Sequence, residues 1–114
     1  MTYLTANFEH LLVRINATSE GTLLDLNETT ALMRVPTAPP DDRHMTLVIN
    51  SEGGETVYLP GRVVLSIPQT WEPGHAHKEH HIVVEFVRLS AETIAAVRRL
   101  IAISTEIETH HAAA

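Results

Sequence analysis

The sequence predicts a mainly β fold: about six short antiparallel strands curled into a barrel, followed by one C-terminal helix. Three observations lead there. Apolar residues recur with a period of two through most of the chain, in runs separated by turn signals. The period changes to helical spacing only after Ser90. One flat sheet with a single helix would leave much apolar surface wet, so the sheet must curl.

The elements follow in order. "LLVRIN" at 11–16 sets Leu11, Val13 and Ile15 against Leu12, Arg14 and Asn16, the pattern of a half-buried strand. "ATSEG" supplies a turn ending in Gly21. "TLLDL" and "TALMRV" are the next two strands, split by a polar break from Asn27 to Thr29. "PTAPPDDR", residues 36–43, holds three of the six prolines and cannot feed a sheet ladder, so it is a surface loop. "HMTLVIN" turns Met45, Leu47 and Ile49 inward, and "SEGGE" is a hairpin signal. In "TVYLPGRVVLSIP", Val57, Leu59, Val63, Leu65 and Ile67 share one parity and are expected inward, with a bend or bulge at Pro60-Gly61. "QTWEPGHAHKEH" is a second polar loop, and "HIVVEFVRL" is the last strand, with Ile82, Val84 and Phe86 inward.

Ser90 is the expected N-cap of the helix, and Glu92 suits the positive end of its dipole. Ile94, Val97, Leu100, Ile101 and Ile107 lie at helical spacing. The reading is one domain over residues 1–108 and a disordered tail over 109–114.

Composition narrows the function. A chain of 114 residues with 44% hydrophobic and 19% charged residues fits one globular domain. It has no cysteine, which removes disulfides, thiol chemistry and cysteine-held metal. No signal-peptide pattern opens it and no apolar run approaches the roughly 20 residues of a membrane helix, so a cytoplasmic protein without membrane insertion is expected. Asn16 and Asn27 begin N-x-[ST] triplets that then carry no glycan. The net charge is −6, and the arginines are scattered apart from Arg98 and Arg99, so no basic face for a nucleic acid polymer is expected.

In its order of elements the chain resembles the PilZ domain, a bacterial six-stranded barrel with a C-terminal helix that binds cyclic di-GMP. The resemblance covers roughly residues 8 to 101. "VRI" at 13–15 is similar to the family's first strand, and "GTLLDLNETTAL" to its Asp/Asn-x-Ser-x-x-Gly turn. "GRVVLSI" at 61–67 is similar to its Gly-x-Val strand, and "VVEFVRLSAETIAAVRRLI" to its closing strand and helix. The resemblance implies a six-stranded antiparallel PilZ-like barrel and partners in cyclic di-GMP signalling, motility, pili or surface polysaccharide control.

The family's binding residues carry over poorly. Its RxxxR segment before the first strand, whose guanidinium groups clamp phosphates and stack on guanine, has no counterpart in "MTYLTANFEH", which lacks arginine and lysine. Arg14 falls too late for that role. In the turn, Asp25 matches the acidic position, Asn27 stands where serine is usual, and Thr30 occupies the glycine position. A β-branched residue there resists positive φ and close approach to a base. Asp25, Asn27 and Thr30 are therefore vestigial ligand candidates, expected to satisfy their own turn.

His75 and His77, two apart in an extended segment, could share a metal, but a zinc site wants three or four ligands, so no metal or other cofactor is expected. No catalytic motif such as G-x-S-x-G or H-E-x-x-H occurs, and no enzyme is expected. Leu100, Ile103 and Ile107 lie far along the helix and are candidates for an interaction surface, for a protein partner or a homo-oligomer. The expected function is a degenerate PilZ-like adaptor that does not hold the nucleotide. The alternatives are a cyclic di-GMP receptor with a non-standard site, and a small metal-binding enzyme or sensor built on the His75–His81 loop.

Overall fold

A computed structural model describes residues 7–8, 10–16, 19–36, 43–69 and 79–113, with the side chains of 69 and 106–113 excepted. Six strands precede one helix: β1 (Leu12–Ile15), β2 (Ser19–Leu26), β3 (Thr30–Val35), β4 (His44–Asn50), β5 (Thr56–Gln69), β6 (Glu79–Phe86) and α1 (Ala91–Ala113). The strands close into a barrel in the order β1-β2-β3-β6-β5-β4. Every neighbouring pair is antiparallel. The mainly β barrel with a C-terminal helix is thus the architecture adopted. Closure leaves the sheet without an open side and turns one face of each strand onto a shared core.

Alternation decides which face that is. Met45, Leu47 and Ile49 of β4, Ala31, Met33 and Val35 of β3, and Ile82 and Val84 of β6 are all buried. In β2 the inward residues are Leu23 and Leu26, three apart, because the register with β3 shifts between Leu23 and Asp25. The extra residue at that bulge reverses the parity behind it.

The same device corrects the reading of β5. Val57, Leu59 and Val63 are buried as expected, but Leu65 and Ile67 lie on the outer surface. The register with β6 shifts between Val63 and Leu65, so the alternation flips there. Pro60 and Gly61 keep regular register with Thr46 and Met45. Gly61 instead permits close approach to β6: a Cβ on it would stand 2.7 Å from the Glu85 carbonyl oxygen and 2.7 Å from Val84 Cγ1. Phe86 is half-buried against the core rather than inside it.

The first turn also differs. Gly21 is not its end but part of β2, opposite Val13. Asn16 takes the left-handed conformation, with φ of 51°, and its side-chain oxygen accepts from Thr46 N at 2.9 Å. Asparagine tolerates that conformation, so the chain reverses without glycine. The "SEGGE" hairpin forms as expected, with Gly54 at φ of 89° and Ser51 N donating to Glu55 O at 3.0 Å.

Ser90 caps α1 as expected, its Oγ accepting from Thr93 N at 3.1 Å. Arg88, two residues earlier, has φ of 54° and turns the chain from β6 into the helix. The buried face of α1 is Ala96, Val97, Leu100 and Ser104, a stripe at helical spacing. With Phe8 and Leu11 it joins the barrel core. The helix runs to Ala113, into the segment 109–114 read as a tail.

Leu100 is the clearest correction to the proposed interaction surface: it is fully buried, within the core. The barrel does not end before it, because the segment ahead of β1 extends the packing surface under the helix as far as Ser104. Ile103 stays 41% exposed. The Ile107 side chain lies outside the described residues.

Candidate functional site

The β2–β3 turn carries Asp25, Asn27 and Thr30, and local bonds engage Asp25 Oδ1 and Asn27 Oδ1. Asp25 is exposed just after the β2 bulge, and its Oδ1 accepts from Leu26 N at 2.9 Å. Asn27 Oδ1 accepts three hydrogen bonds, from Thr29 N, Thr29 Oγ1 and Thr30 N, each at 2.8 Å. The turn closes with Asn27 N donating to Thr30 O at 3.0 Å. This is an asparagine turn of the kind that replaces a backbone acceptor by a side-chain one.

Thr30 is half-buried and pairs with Glu85 of β6. Its φ is not positive, since Asn16 and Arg88 alone among described non-glycine residues have that property. The turn is therefore built on geometry that threonine accepts. Thr29 O in turn accepts from Phe86 N at 2.8 Å, which seats the turn on the end of β6.

Glu28, at the tip, forms an ion pair with Arg98 of α1. The hydrogen bond from Arg98 holds the Glu28 carboxyl below the usual carboxylate range, and the same contact raises the guanidinium. Both groups are open to solvent, so the pair is screened and weak. Arg99 reaches the other hairpin at this end: its Nη2 lies 3.0 Å from Glu55 Oε2. Adjacent arginines thus fork from the helix to the β2–β3 and β4–β5 turns. A phosphate that used Arg98 would have to displace Glu28 from it.

Sequence reasoning did not single out Glu28, Glu55 or the roles of Arg98 and Arg99. The only signal was that Arg98 and Arg99 are the one adjacent pair of arginines in the chain. Their partners are 70 and 44 residues away, at hairpin tips whose position depends on barrel closure.

The histidines divide. His75 and His77 lie outside the described residues. His80 and His81 are neighbours on β6, and strand alternation sends them to opposite faces: His80 pairs with Val35 and Pro68, His81 with Arg34 and Ile67. His80 Nδ1 is buried without a hydrogen-bond partner among the described residues. Among the described residues no group of three or more His, Cys, Asp or Glu side chains is placed to hold a metal ion. No helix of the described residues is long and apolar enough to cross a membrane.

No protein-family model matches the chain, and no curated protein or solved structure matches it either.

Proposed function

We propose that the chain is a degenerate PilZ-like domain that works as a protein-interaction or adaptor module in a bacterial cytoplasm, within cyclic di-GMP-related signalling, motility or surface regulation. It does not catalyse a reaction, and it does not hold the nucleotide itself. The observation that carries this reading is the occupancy of the turn. Asn27 Oδ1 already accepts three hydrogen bonds, and Arg98, the cation that reaches this turn from the helix, is engaged by Glu28.

Energetics favour the same conclusion. The nucleotide carries two phosphate charges, while this chain has a net charge of −6 and no arginine or lysine before Arg14. Each missing charge-assisted contact is worth roughly 1.5–3 kcal/mol, so losing two arginines weakens binding by about two to four orders of magnitude.

Calorimetric titration with cyclic di-GMP tests this. We expect no saturable heat, and none with Thr30→Gly, because glycine relaxes the turn without supplying a phosphate partner. A low-micromolar or tighter constant for the wild type would overturn the reading.

A further inference from the structure

We draw no further inference here: the strongest candidate, the apolar patch on the outer surface of the barrel where Leu65 of β5 lies beside Val83 of β6 and Leu32 of β3, carries none because nothing in the structure shows what covers it.

Discussion

His10 and Ser104 are hydrogen-bonded at 3.0 Å across 94 residues of sequence, joining the segment ahead of β1 to the far part of α1. The serine hydroxyl has a single proton, and it lies 2.8 Å from the Leu100 carbonyl oxygen, the acceptor one turn back. With that proton engaged, His10 Nε2 must be the donor to Ser104 Oγ. Ser104 is fully buried, so a missing partner there is not replaced cheaply by water.

The first prediction follows from that bond. Ser104→Ala should destabilise the domain by about 0.5–1.5 kcal/mol, partly offset by alanine's better helix propensity. His10→Ala should cost a similar amount, and the double variant should cost less than the sum. A denaturant double-mutant cycle checks this. Simple additivity would show that the two side chains stabilise the fold independently.

A second contrast concerns two glycines that both sit inside strands. Gly61→Ala places a methyl 2.7 Å from the Glu85 backbone oxygen, which the β5–β6 ladder holds in place. Gly21→Ala places one 2.6 Å from Met33 Cε, the far end of a flexible side chain. We expect Gly61→Ala to cost about 1–3 kcal/mol or more and Gly21→Ala less, because methionine can repack and a paired backbone cannot. Thermal melts of the two variants compare them directly.

These glycines also mark where the sequence was legible and where it was not. The strands, their order and the helix cap followed from alternation, turn residues and Ser90, all of which are local signals. Bulges are not local. The flip that exposes Leu65 and Ile67 depends on how β5 pairs with β6, and the one in β2 on its pairing with β3. Leu100 was misplaced for a related reason: the reach of the core along α1 is set by Phe8, His10 and Leu11, whose packing no periodicity reveals. In the turn, by contrast, Asn27, two residues after Asp25, already pointed to local side-chain bonding. The tie of Glu28, at the tip of that turn, to Arg98 required the closed barrel.

The Glu28–Arg98 pair carries a pH signature. Because the folded state holds the Glu28 carboxyl below its ordinary value, its contribution to stability is present above the unfolded pKa and is lost as pH falls through the folded one. The melting temperature of the wild type should therefore exceed that of Glu28→Gln at neutral pH, with the gap closing under acid conditions. The gap should be small and should shrink with added salt, since both groups are exposed. A gap that persists at acid pH would mean that Glu28 acts through packing instead.

The helix supplies the sharpest test of how far the core extends. Val97 and Leu100 are fully buried, whereas Ile103 is 41% exposed one turn farther on. Val97→Glu forces a carboxylate into an apolar core with no described cation among its buried neighbours, a cost of several kcal/mol that is comparable with the whole stability of a small domain. We expect that variant to be unfolded at room temperature. Leu100→Ala leaves a cavity and should cost about 2–5 kcal/mol, the range for a leucine deleted from a packed interior. Ile103→Glu should shift stability by no more than about 0.5 kcal/mol, as for other surface substitutions. Urea denaturation followed by circular dichroism ranks the three. If Leu100→Ala were as mild as Ile103→Glu, the helix would not be packed down to Ser104, and the His10 contact that anchors it there would have to be abandoned as well.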